Sequence, residues 1–274
     1  MHEAAMTRWT LSPSFPERAL RAAASGWFIV AALGHWTFVA YVVAHYGPLL
    51  LRGGPPALSE SHLPNGFVAG DTLGNAAVIA HLLLAVIVIG GGPLQLIPQI
   101  RSRWPTFHRR LGRTYVAAAM TSAFAGIYMV WTRGTVGDTL SHVAITLDGV
   151  LILAFAVLAA RYAMARDFAR HRRWALRLFV VASGVWFYRI GFSAWLAATG
   201  GAGIDFDTFT GPFVSFISFG QYLVPLTVLE LYYIARDRGD AVGRLAMACL
   251  LLMLTALTGA GTVAATFIMW LPRL

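Results

Sequence analysis

Seven runs of apolar residues, each long enough to cross a bilayer, decide what this chain can fold into. They fall at about 24–46, 75–98, 112–132, 141–163, 174–198, 212–235 and 245–271. A helix needs roughly 20 apolar residues to span the hydrocarbon layer. Inside that layer a backbone amide or carbonyl finds no water, so segments of this length predict helices. Only 12% of the residues are charged and the mean hydropathy is +0.65, where a soluble domain carries roughly 25% charged residues. The expected architecture is all-α: a single polytopic membrane domain over residues 1–274, with about seven spans and a four-helix bundle core made by spans two to five. The first twenty residues hold no apolar signal core and no small-residue cleavage site, so no removable signal peptide is expected. Connections are short except for residues 47–74, a Gly/Pro-rich stretch expected to pack over one face.

Arginine placement predicts direction. All 21 basic residues are arginine. Seventeen of them fall on one side, in the segment with Arg8, Arg18 and Arg21, at the 2–3 and 4–5 junctions, and in the loop with Arg236, Arg238 and Arg244. The other side carries Arg52, Arg133 and Arg273 against Glu60, Asp71, Asp138, Asp205 and Asp207. The positive-inside rule then puts the N-terminus in the cytoplasm and the C-terminus outside. The expected location is the inner, cytoplasmic membrane of a bacterium, with lipid as the main partner. The net charge of +9 is read as this topological excess, and no nucleic-acid partner is expected. The single cysteine, Cys249, excludes a disulfide framework and cysteine zinc sites. No HExxH, GxSxG, Walker or GxGxxG signature is present.

Within spans two to five the histidines keep step. His81 and His142 fall near the outer starts of spans two and four, and His108 and His171 fall at the cytoplasmic starts of spans three and five. The intervals from His81 to His108 and from His142 to His171 are 27 and 29 residues. At 1.5 Å per residue the first pair shares one depth and the second another, roughly 25–30 Å apart. Paired imidazoles facing across a bundle are what axial ligation of haem iron requires. One turn beyond each histidine stands a small residue, Ala85, Gly112, Thr146 or Ala175, which leaves room for a flat macrocycle.

This pattern resembles the cytochrome b561 group of di-haem transmembrane electron carriers. The resemblance implies haem b, one or two per chain, on His81/His142 and His108/His171, with quinol or another small reductant as electron partner. A closer verbal resemblance is to the bacterial membrane family called domain of unknown function 2306. It rests on "AHLLLAVIVIGGGPLQLIPQIRSRWPTFHRRLGRTYV" (Ala80 to Val116), "HRRWALRLFVVASGVWFYR" (His171 to Arg189) and Glu230 in "LELYY". The positions that carry it include His81, Gln95, His108, Arg109, Gly112, Arg113, His171, Arg177, Arg189 and Glu230. That family is defined without an activity.

Ionisable groups inside spans are costly and mark partners or pathways. Asp148 and Arg189 have matching depths and are expected to pair, with Arg189 otherwise free for a propionate or a substrate carboxylate. Arg109, Arg113 and Arg177 are the other candidate propionate partners. Glu230 is expected to satisfy Arg113 or Arg177. Gln95 and Gln221 can bond a quinone or simply each other's helices. Three functions stay open: a haem-b electron carrier or membrane oxidoreductase component; a small-solute or metal-ion transporter using His35, His45, His81 and His142 with Asp148 and Arg189; and a non-catalytic membrane subunit without cofactor. For transport, only "GGGPLQLIP" (Gly90 to Pro98) reads as a broken helix.

Overall fold

A computed structural model describes residues 14–61, 63, 65–135 and 137–274. His2, Arg8, His62 and most of the supposedly signal-free leader lie outside the described residues. The chain is all-helical, and six helices are long and apolar enough to cross a membrane. They are α1 (Phe15–Gly53), α2 (Thr72–Leu96), α4 (Pro105–Thr132), α5 (Thr139–Met164), α8 (Pro212–Arg238) and α9 (Ala241–Ala265, continued by irregular turns to Arg273). A short α3 (Pro98–Arg103) joins α2 to α4. The remaining run, at span five, is a bent pair, α6 (Phe168–Ala182) and α7 (Gly184–Thr199), angled by 48°.

Local chemistry explains the boundaries. Asp71, Asp138, Asp167 and Asp240 each accept a bond from the backbone amide three residues on, at Gly74, Ser141, Arg170 and Gly243. These are N-caps that satisfy otherwise orphaned donors. Pro98, Pro105 and Pro212 stand at first helical positions, where no amide proton is needed. The break in span five falls on Ser183–Gly184, a pair of the kind at which sharp kinks form. By contrast α2 runs unbroken through "GGGP", where Gly92 lets the rings of Phe179 and Tyr115 come close. The interruption expected within "GGGPLQLIP" falls at its end, at Ile97 between α2 and α3, and a second break lies inside span five.

Spans two to five do pack as a bundle, but only toward the arginine-rich end. There α2, α4, α5 and α6 surround a small-residue core of Ala118, Ala119, Ala156, Ala159 and Ala182 with Tyr115 and Leu178. Beyond the break α7 leaves the bundle and packs on α9 and α8. A second core, of Phe38, Tyr41, Trp186, Ile190 and Trp270, joins α1, α7 and the end of α9. Toward the opposite end, then, the bundle lacks its fourth wall.

Candidate functional site

A cavity of about 1850 Å³ opens between the helices at the arginine-rich end. Its wall carries Arg21, Arg101, Arg109, Arg113 and Arg172 together with His108 and His171, and among the described residues no carboxylate lines it. Deeper, the lining turns apolar at Trp27, Phe28, Phe179, Phe187 and Phe216, and it reaches Gln221 and Thr258 well inside the membrane. Cavities that hold small molecules measure roughly 300–1,000 Å³. This one has room for a macrocycle or a lipid.

The two inner histidines come together here. His108 and His171 are each the fourth residue of their helix, α4 and α6, and they lie close enough for the charge of one to act on the other. The His171 Nδ1–H faces the Ala159 carbonyl at 2.9 Å. With the proton on Nδ1, Nε2 keeps its lone pair, the arrangement usual for ligating histidines. His108 Nδ1 is buried with no partner. The Gln95 amide donates to the His108 carbonyl at 3.3 Å and so ties α2 to the start of α4. Gly112 and Ala175, the small residues one turn on, both line the cavity.

The outer pair is arranged differently. His81 lies against α4, its Nδ1 3.0 Å from the Ser122 carbonyl and its ring beside Gly126. His142 meets the edge of Trp131, and the Thr146 hydroxyl donates to the His142 carbonyl while accepting from Trp131 Nε1. The room expected beside His142 is thus occupied by Thr146 and Trp131. Neither outer histidine lines the cavity. The residues fit a haem at the inner pair, and they do not fit one at the outer pair.

Several other expected partners are elsewhere. Asp148 and Arg189 form no ion pair. Arg189 points to α1, stacked 5.0 Å over Phe38 and donating to the Val185 carbonyl. Asp148 faces the start of α7 at Gly184. Asp148, on α5, meets the first residue of α7, whereas Arg189 is turned toward α1 more than a turn further along α7, which matching depth does not reveal. Arg177 donates to both oxygens of Glu230, at 2.7 and 2.8 Å, as expected for Glu230, and so does not line the cavity. His35, which the sequence groups only with the outer histidines, has a structural place of its own. It is fully buried, with Nδ1 2.7 Å from the Ala31 carbonyl and Nε2 2.9 Å from Ser183 Oγ, and its ring stacks on Trp186 and Phe179. It braces the break in span five. His45 lies 2.8 Å from the Arg273 carbonyl. Among the described residues no three His, Cys, Asp or Glu side chains gather to hold a metal ion, so the outer histidines do not make the metal site considered for transport.

No curated protein and no solved structure matches the chain, and the likeness to cytochrome b561-type carriers gains nothing from these comparisons. One family model matches residues 78–232, from α2 through most of α8, which takes in both inner histidines and more than half of the chain. The chain therefore belongs to the family described as predicted membrane protein, DUF2306.

Proposed function

We propose that this multi-pass membrane protein is a haem-b carrier, a component of a membrane oxidoreductase, with a single haem held by His108 and His171 at its arginine-rich end. One observation carries the reading: two imidazoles and five arginines share the wall of one large apolar cavity, with no carboxylate beside them among the described residues. Haem is an amphiphile with an apolar plane, two carboxylates and an iron that takes imidazole on both faces. When bound, it supplies one-electron chemistry. The Ala159 carbonyl orients His171, Arg109 and Arg113 are placed to meet propionates, and the aromatic depth of the cavity keeps water away. Gln95 and Gln221, also in the lining, can hydrogen-bond a quinone partner. On the positive-inside reading the site faces the cytoplasm of a bacterium, from its inner membrane.

The test is the absorption spectrum of detergent-purified protein made with ample haem, oxidised and then reduced by dithionite. The expected result is a sharp reduced α band at one haem per chain. His108→Ala and His171→Ala should lose it, and His81→Ala and His142→Ala should keep it. Absence of haem absorbance overturns the reading. A second reading, a small-solute transporter, is favoured by the broken span five, because half-helix ends near the bilayer midplane often form substrate sites. A colourless protein that drives solute uptake in vesicles would establish it.

A further inference from the structure

The interface between α5 and α8 carries a row of polar groups. It begins at the arginine-poor surface with Asp138, whose Oδ1 accepts from the Ser141 hydroxyl at 3.0 Å. Ser218 Oγ follows, 3.4 Å from Ser141 Oγ, and the buried side chain of Gln221 donates to the Ser218 carbonyl at 2.9 Å. Gln221 also lines the cavity. Asp148 stands at the same level. It lies nine residues into α5 as Gln221 lies nine into α8, or about 14 Å from each helix start at 1.5 Å per residue, close to the middle of a ~30 Å hydrocarbon layer.

Asp148 and Gln221 converge on Gly184. A methyl group built there would lie 2.8 Å from the Asp148 carboxylate and 3.5 Å from the Gln221 amide oxygen, so glycine is what lets them approach. Asp148 Oδ1 is buried and accepts no hydrogen bond. The hydroxyl of Tyr222, a fully buried side chain within range of the Asp148 charge, is likewise unpartnered. No arginine pairs with Asp148 among the described residues; Arg189, on α7, is turned toward α1. A carboxylate left unpaired in a membrane interior is costly, and the simplest relief is a proton.

We propose that Asp148 is a proton-binding site within the membrane, reached from the Asp138 surface along Ser141 and Ser218 and opening on the cavity at Gln221. One proton from water at the outer surface adds to the Asp148 carboxylate to give the neutral acid. The same proton leaves toward the cavity, and only O–H bonds form and break. The structure assigns a proton route that ends at the proposed ligand chamber, whatever that chamber holds. A carboxylate that only offset the positive end of α7 would instead take up its proton no higher than the ordinary carboxylate range.

The experiment is infrared difference spectroscopy of the purified full-length chain after pH steps, in water and in deuterium oxide. The wild type is expected to show a protonated-carboxyl band that titrates and shifts in deuterium oxide. Asp148→Asn should lose that band. Asp148→Glu, which keeps a carboxyl group should the amide variant fail to fold, should retain it at a shifted position. The Ser141→Ala/Ser218→Ala double variant should keep the band but form it at least tenfold more slowly after a pH step. A wild type with no such band, or a band unchanged in Asp148→Asn, overturns the site. Unchanged kinetics in the double serine variant overturn the route.

Discussion

The two histidine pairs have nearly the same spacing in the chain and opposite settings in the fold. At the arginine-rich end His108 and His171 stand on the wall of an open cavity, among arginines and, within the described residues, no carboxylate. At the other end His81 and His142 lie against α4, His81 on the Ser122 carbonyl and His142 at the edge of Trp131, and neither lines the cavity. The difference traces to Ser183–Gly184. Before the break α6 closes a four-helix bundle, and after it α7 packs on α8 and α9 instead. Equal spacing along helices sets equal depth. What a side chain meets at that depth depends on which helix supplies the facing wall.

The largest expected contrast is between His35 and His108. His35→Ala removes a fully buried ring, two hydrogen-bonded contacts and two aromatic stacks. It also leaves the Ser183 hydroxyl, whose one proton is shared between His35 Nε2 and the Phe179 carbonyl, with the carbonyl alone. The expected loss is about 3 kcal/mol, read from denaturation in detergent. His108→Ala removes a ring whose Nδ1 has no protein partner, so it should abolish haem binding with little loss of stability in the unliganded protein. Equal destabilisation by the two would break the comparison.

Glycines give the next test. A methyl group on Gly34 would come within 2.6 Å of the buried Trp186 ring and 2.9 Å of Thr262 Oγ1. Gly34→Ala should therefore cost about 1–3 kcal/mol, as overpacking does. On Gly112 the same group meets only the end of the Gln95 side chain, at 3.0 Å, which can swing into the cavity. Gly112→Ala should keep the thermal midpoint and change ligand content. Smaller still is Glu230→Gln. It weakens a charged two-bond contact to Arg177 whose carboxylate is 43% exposed, so about 1 kcal/mol is expected. Haem content should be unaffected, since Arg177 does not line the cavity.

Much of this was legible in the chain. The apolar runs coincide with the six helices long enough to cross a membrane and with the bent pair α6–α7, and the aspartates before α2, α5, α6 and α9 mark their starts. The inner pair was legible because "FHRR" and "ARHRR" each put a histidine in a first helical turn, where the helix begins and rotation has no length over which to accumulate uncertainty. The Asp148–Arg189 pairing failed for the opposite reason: both residues sit deep in their spans, and Arg189 lies beyond a kink that redirects it. The kink had a signal in "SGV" that went unread, because a span of 25 apolar residues does not show whether it is one helix or two. His35 was invisible as a brace, since its partners Ser183, Trp186 and Phe179 are remote in sequence.

Acid should separate the two ends in a last, smaller way. Backbone and hydroxyl donors of Ser141 hold the Asp138 carboxyl below the usual carboxylate range. Donors from Thr208 and Asp207 do the same for Asp205, in the turn before α8. A carboxyl made more acidic by folding adds stability above its unfolded pKa and loses that contribution as pH falls through the lower, folded value. The first turn of α5 and the turn at Asp205 should therefore hold near neutrality and loosen only below the ordinary carboxylate range. Hydrogen exchange at the Ser141 and Thr208 amides should accelerate there, and Asp138→Asn, which keeps a capping oxygen but no titrating group, should remove the pH dependence at Ser141 alone. If Ser141 exchange still rises with acid in that variant, the loosening originates deeper along the α5–α8 seam, and the two ends differ in more than their surface caps.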